Sequence, residues 1–473
     1  MPKISYITKE VPFTFRGRDF RFALSQGLFS SADIDSGTRL LLKVFSRVLD
    51  EDMASGKQAP CYVLDSGCGV GVIGICAAAA IMAARQAGGA LLVRSQDRDE
   101  LACLLTMYNA EKNGIPPSFL QARTGPLLAG EDNARWDLIL SNIPAKAGEP
   151  VLKDFVRRSA GLLRPGGRVI MVAVYTLADF FREEIRSAGL ELLREEKSAR
   201  KQDARRGAFS GAKGGAPAQV NVPVSGNSAD DSGYSVFVFG GKSAADTALR
   251  AGPGFLVRYP FYVRCSSDYQ LEDIPLHLET VHGASGFDDP GGAVRAAAKL
   301  IRRFGPEKLF PDGAPALIHE PGQGFFPQWL LEFSRRGAHL KAPPLVLSGR
   351  NILALEAARH NTAAAAVDAA LTVVPAVDLA LGAEVLLAAA GGPYRFIAAF
   401  PELLAQSAVP KETDQLASLW DALASLLTGG CVFVAAFSST EAERFDRKKP
   451  AGFTRLGDIK RKGFRALAYE RRR

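Results

Sequence analysis

An α/β protein built from two copies of one fold is what this sequence predicts, and three observations carry the prediction. Short apolar runs alternate with helical stretches over about 150 residues of the first half, the pattern of a mostly parallel sheet covered on both faces. A buried strand, a glycine-rich turn and an Ala-rich helix follow one another from Tyr62 through Gly74 to Ala84. Several segments of the first half then recur, in the same order, in the second.

The bulk numbers fit that architecture. A chain of 473 residues exceeds one ordinary core. Hydrophobic content of 47% with 23% charged residues is that of a globular protein. No apolar run approaches the roughly 18–20 residues of a membrane span, and Met1–Ser5 opens no signal peptide, so no membrane association is expected. The six cysteines lack paired spacing and read as reduced thiols of a cytoplasmic protein. All five histidines lie beyond residue 276 with no HxxH or HExxH spacing, so no metal site is expected. A net charge of +8 leans towards a polyanionic partner.

In chain order, Phe13–Phe15 and Phe20–Leu24 read as strands. Ser36 or Thr38 caps a helix with Leu40, Leu41, Val44, Phe45 and Val48 on its apolar face. Tyr62–Leu64 is the strand ahead of the turn, and Val72–Ala84 the helix behind it. Leu91–Val93 opens a strand ending near Asp97, and a helix covers Asp99–Asn113. Trp136–Leu140 is a strand leading into Ser141-Asn142-Ile143-Pro144-Ala145. A helix at Phe155–Leu163, a strand at Arg168–Val174 and a helix at Leu177–Ala188 complete the alternation. Residues 198–233 are basic, then Gly/Ala/Ser/Asn-rich with almost no large apolar side chain, and read as a flexible insertion. Tyr234–Phe239 resumes as a strand paired with Leu190–Arg194.

The repeat aligns Leu40–Phe45 with Ala296–Ile301, Val63–Gly69 with Ile318–Gly324, and Asn109 with Asn361. It also aligns Asn142 with Ala399, and Leu162–Ile170 with Leu426–Phe433. Two domains are expected, 1–250 and 251–473.

The first half resembles the class I S-adenosylmethionine-dependent methyltransferases. Within them it is most similar to the "methyltransferase small" group, which includes ribosomal RNA guanine-N2 methyltransferases. The resemblance rests on Phe29-Ser30 through Asp35-Ser36-Gly37-Thr38, on Asp65-Ser66-Gly67-Cys68-Gly69-Val70-Gly71, on Asp97 with Asn109, and on Ser141-Asn142-Ile143-Pro144. It implies two tandem Rossmann-like domains, each with a mostly parallel seven-stranded sheet, the second copy being degenerate. It further implies S-adenosylmethionine as cofactor, held by Asp65, Gly67, Gly69, Gly71 and Asp97 together with Asp35 and Thr38. Asn142 and Pro144 would serve the methyl transfer, with RNA, ribosomal RNA first, as partner.

Chemistry agrees with these roles. Asp65 at a strand end can accept from the donor's ammonium, the glycines let backbone lie along the ligand, and Asp97 can accept both ribose hydroxyls. A dinucleotide crevice shares the glycine turn and the ribose acid, but an acid directly before the glycines suits a cationic ligand better than a pyrophosphate. The family's Asn-Pro-Pro-aromatic turn is altered: Ile143 replaces the first proline and Ala145 the ring that stacks on a base. Phe29 or Tyr175 could supply that ring. Methylation of a protein or small molecule, or a non-catalytic binding module, therefore stands beside the RNA reading. In the second copy Asp65 is matched by an acid, Glu320, but Gly71 pairs with Phe326, Asp97 with Gly349 and Asn142 with Ala399, three losses that point to a domain without cofactor. Its basic end, Arg444 through Arg473 with Phe445, Phe453, Phe464 and Tyr469 interleaved, reads as an RNA-facing surface.

Overall fold

The computed structural model describes residues 6–473 apart from 30, 86–90, 132–134, 199–232, 242–248, 250–251, 253, 287, 311–313, 337–341, 367–368 and 405–413. The proposed flexible insertion lies outside the described residues.

The first half begins with a hairpin of β1 (Lys9–Phe15) and β2 (Arg18–Leu24), then α1 (Ser36–Ala54). Next come β3 (Tyr62–Ser66), α2 (Val72–Ala84), β4 (Leu92–Asp97), α3 (Glu100–Lys112) and β5 (Leu120–Thr124). β6 (Trp136–Asn142), α4 (Glu149–Gly161), β7 (Leu163–Val174) and α5 (Ala178–Ser187) follow, and β8 (Glu191–Lys197) and β9 (Tyr234–Gly240) close the unit. Seven of these strands form one sheet in the order β5-β4-β3-β6-β7-β9-β8, parallel except for β9, which runs against both its neighbours β7 and β8.

The strands read as near-continuous apolar runs because both faces are covered. Val63, Leu138, Leu140, Ile170 and Val172 join the side chains of α1 and α2 in one buried cluster. The alternate residues Leu64, Ile139, Val169 and Met171 join Phe155 of α4 and Phe181 of α5 in another.

The second half repeats this plan. A hairpin of β10 (Val263–Leu271) and β11 (Ile274–Val281) precedes β12 (Ala316–His319), β13 (Leu345–Gly349), β14 (Leu371–Pro375), β15 (Tyr394–Ala399), β16 (Leu427–Ser438), β17 (Phe453–Arg461) and β18 (Phe464–Arg471). Their sheet has the order β14-β13-β12-β15-β16-β18-β17, the first sheet's order strand for strand. The strands β5 and β14, short and half-exposed, have no counterpart in the sequence reading.

The paired sheets fix the register of the repeat and correct it. Gly67 N–H donates to Gln96 O at 2.8 Å, and Glu320 N–H donates to Ser348 O at 2.7 Å, the matching bond. Gly71 and Gly324 both cap the following helix in the left-handed conformation, at φ 87° and 105°. Asp65 therefore pairs with Ile318, not Glu320, and Gly71 keeps a glycine partner rather than Phe326. Strand pairing likewise sets Ile139 against Ile397, so Asn142 falls on Phe400 rather than Ala399. Matching the two copies on the acid-x-glycine pattern sets that stretch two residues out, because the second copy carries its acid inside the turn. The pairings of Asp97 with Gly349 and Asn109 with Asn361 agree with the sheets. Each asparagine bonds the preceding hairpin's backbone and the turn's carbonyl, Val70 O at 2.9 Å and Gln323 O at 2.7 Å.

The basic end is also corrected. β17 and β18 do form a hairpin, but Phe445, Phe453 and Tyr469 are buried around Trp420, and Arg455, Arg461, Arg465 and Lys448 lie in ion pairs. The aromatic interleaving is core packing on the sheet's inner face; only Phe464 stands substantially exposed. No helix among the described residues is long and apolar enough to cross a membrane.

Candidate functional site

The carboxyl ends of β3, β4 and β6 converge on one crevice, where an open α/β sheet offers ligand space. Gly67, Gly69 and Gly71 all have positive φ, at 79°, 55° and 87°. At Gly71 the reason is doubled, since a Cβ would lie 2.9 Å from the Thr106 side chain. Gly69 has open space where its Cβ would be, while its N–H donates to Asp97 and its carbonyl accepts from Thr106 Oγ1 at 3.1 Å.

Asp65 sits beneath this turn. Its carboxylate is fully buried, and Oδ2 accepts from Gly74 N–H at 2.8 Å. Burial pushes its pKa up to about 7, the nearby Asp97 adding to the effect. A Cβ at Gly74 would lie 2.5 Å from Ser95 Oγ and 2.8 Å from Asp65 Oδ2, so glycine is needed there for space alone. Asp97 stands at the rim, half-buried. Its Oδ2 accepts from Gly69 N–H and its Oδ1 from Asp99 N–H, both at 3.0 Å, and desolvation raises its pKa.

A second constellation gathers at the end of β6. Asn142 donates through Nδ2 to Asp35 Oδ2 at 2.9 Å and to Thr38 Oγ1 at 3.1 Å. Thr38 Oγ1 in turn donates to Asp35 Oδ2 at 2.6 Å, and Asp35 Oδ1 caps α1 through Gly37 and Thr38 N–H. Asp35 and Thr38 thus hold Asn142 and cap α1. With both amide hydrogens turned to these acceptors, Asn142 Oδ1 is left as an acceptor with no hydrogen-bond partner among the described residues.

Ile143 is buried, and its N–H donates to Val172 O at 3.0 Å, extending the β6–β7 ladder where a proline could not. Pro144, Ala145 and Lys146 are exposed. Phe29 is 73% exposed on the segment between Gly27 and Asp35. Among the described residues no cluster of side chains suits a metal ion.

In the second copy the crevice is closed. Glu320 takes the left-handed turn position at φ 54°, and its Oε1 accepts from Arg350 N–H at 2.8 Å. The Glu320 carboxylate fills the space beside Gly349, where a Cβ would lie 2.9 Å from its Oε2. Tyr6 reaches in from the N-terminal segment and donates to Asp378 Oδ2 at 2.7 Å, leaving a cavity of about 40 Å³ beside His319 and Glu320. Phe400, in place of Asn142, packs on Phe326 at 4.9 Å. Neither Tyr6 nor Arg350 was readable as a site residue, because their partners lie 372 and 251 residues away.

A glycine turn with open space beside Gly69 and a rim acid at Asp97 suit a ligand with a ribose, a feature of S-adenosylmethionine. Fold and site define a class I methyltransferase. The methyltransferase small domain model matches residues 19–182. The Bacillus subtilis uncharacterized protein YbxB is 30% identical over 161 residues, 34% of this chain and 71% of that protein. The chain belongs to the methyltransferase small domain family and is an S-adenosylmethionine-dependent methyltransferase. A ribosomal RNA small subunit methyltransferase C from Chromohalobacter salexigens is 30% identical over 151 residues, 31% of this chain and 40% of that enzyme. A ribosomal protein L11 methyltransferase from Pelotomaculum thermopropionicum is 34% identical over 135 residues, 28% of this chain and 38% of that enzyme. This chain thus matches well under half the length of those two enzymes. In fold, a T. thermophilus 16S rRNA N2 methyltransferase solved with AdoMet and guanosine superposes over 99% of both chains, at a TM-score of 0.57 and 15% identity.

Proposed function

We propose that the chain N-methylates a base in structured RNA, ribosomal RNA in particular, and does so in the cytoplasm. The observation that carries the reading is Asn142: its fixed amide offers the crevice an acceptor and no donor. An exocyclic amine has hydrogens to give to such an atom, and a bond from one of them aims the nitrogen lone pair towards the donor. A carboxylate acceptor would meet an unfavourable oxygen instead.

When bound, S-adenosylmethionine supplies an electrophilic methyl carbon on a sulfonium. In this reading Gly67, Gly69 and Gly71 give it backbone, Asp97 takes the ribose hydroxyls, and Asp65 serves from below by holding α2's first turn. Asp35 and Thr38 hold Asn142, and the exposed Pro144 shapes the rim beside it. The half 1–250 carries the transfer; the half 251–473, with its crevice closed, supports it and the substrate. The net charge of +8 and the rRNA methyltransferase relatives support RNA as partner.

A protein amine is the second reading, favoured by the exposed Ala145, which gives a base nothing to stack on, and by the L11 methyltransferase relative. Methyl-labelled donor with ribosomal subunits as acceptor separates the two. Label should enter the RNA fraction and vanish with Asn142→Ala while donor binding persists; label confined to protein would replace this reading with the second.

A further inference from the structure

We infer that Arg350, a residue of the closed second copy, is a positioning residue for the first copy's donor crevice. The inference rests on the reading of Asp97 as the ribose acid. Arg350 is only 8% exposed and reaches across between the halves. Its Nη2 and Nε meet Asp99 Oδ2 and Oδ1 at 2.6 and 3.1 Å, a two-point contact, and Nη2 also donates to Gly27 O at 2.9 Å. Asp99 N–H in turn donates to Asp97 Oδ1 at 3.0 Å. Behind the guanidinium, Glu320 holds the Arg350 backbone N–H at 2.8 Å.

The backbone repeats the connection. Glu100 N–H donates to Arg350 O and Ile352 N–H to Arg98 O, both at 2.9 Å, and Asp99 and Asn351 form an antiparallel bridge. The segment after each copy's second strand therefore pairs with its own counterpart. One guanidinium joins the Asp97–Asp99 corner of the first crevice to the Gly27 carbonyl, ahead of α1. A nearly buried cation held at both points fixes the Asp97–Asp99 corner, and with it the position of the acid that the donor's ribose must meet. The second copy has lost its own ribose acid at Gly349, and the adjacent Arg350 serves the first copy's instead.

The test is donor affinity by calorimetry on the full chain, with S-adenosylmethionine as titrant. Arg350→Gln should raise Kd about ten-fold while kcat at saturating donor stays within about two-fold, and Arg350→Lys should recover part of the loss. Asp99→Asn keeps a side chain able to cap α3 but loses the ion pair. It should match Arg350→Gln, and the double variant should be no weaker than either single one, since both remove one contact. Wild-type affinity in Arg350→Gln and Asp99→Asn would overturn the inference. Asp97→Asn is the control: near-complete loss of binding upholds the reading beneath, whereas wild-type affinity there overturns that reading whatever Arg350 does.

Discussion

Asp65 illustrates how one buried group sets a pH dependence. Its carboxyl has an ordinary pKa of 3.8 and is pushed up to about 7 by burial, so the folded chain holds a proton that the unfolded chain releases. The contribution is fully present below about pH 4 and is lost as pH rises through about 7, with a slope of at most about 1.4 kcal/mol per pH unit. Glu320, also pushed up to about 7 by burial, acts in the same direction; His319, pushed down to about 4 by burial, acts in the opposite one. Comparing wild type with Asp65→Asn cancels those two. The stability advantage of wild type over Asp65→Asn should fall steadily between pH 4 and 7 in denaturant titrations; a difference independent of pH would contradict the assignment. Phe29 poses a separate question at this scale, because Ala145 leaves the site without the family's ring. If Phe29 stacks on the base, Phe29→Ala should raise KM for RNA about ten-fold and leave donor affinity alone, as loss of one stacking contact of about 1–3 kcal/mol requires. An unchanged KM would return Phe29 to the ordinary surface.

Among the elements, β6 shows how the departure from the family's turn is built. Ile143 uses its N–H on Val172 and its side chain in the cluster around Phe155, so it belongs to the strand rather than to the turn. Restoring the family residue with Ile143→Pro removes that bond and a buried aliphatic side chain together. The loss should be about 2–4 kcal/mol in chemical denaturation, and a variant as stable as wild type would mean that the ladder ends one residue earlier. Legibility in the sequence followed the same physical line. The parallel strands β3, β6 and β7 carry consecutive apolar residues buried on both faces, and these mark them in the sequence. β5 and β14 are short and half-exposed, with no such run to mark them. The placement of the glycine turn, Asp97 and Asn142 at the carboxyl ends of β3, β4 and β6 is legible because each closes an apolar run. That Asp35 and Thr38 serve Asn142 is not, since a helix cap and a ligand contact ask for the same side chains.

At the scale of the whole molecule, the two halves share more than Arg350. Leu256, Tyr259 and Tyr262 precede the second sheet yet pack into the first half's core, in one cluster with Val281, Leu353 and Ala357. Tyr259 Oη accepts from Gly130 N–H at 2.9 Å, and Tyr262 Oη donates to Pro126 O at 3.2 Å. Tyr6 runs the other way, from the first half into the closed crevice. Interfaces of this kind, apolar at the centre and strapped in both directions, behave as part of the fold rather than as a hinge. Burial of these side chains is worth about 1.5–3 kcal/mol apiece, so either half alone would expose a patch that favours aggregation. Expressed as separate chains, 1–250 alone should aggregate or bind donor weakly, and co-expression with 251–473 should return a soluble complex with donor affinity near that of the intact chain. A monomeric 1–250 that binds donor like the full protein would show that the second copy is dispensable to the first, and its conserved sheet order would then need a reason in substrate handling alone.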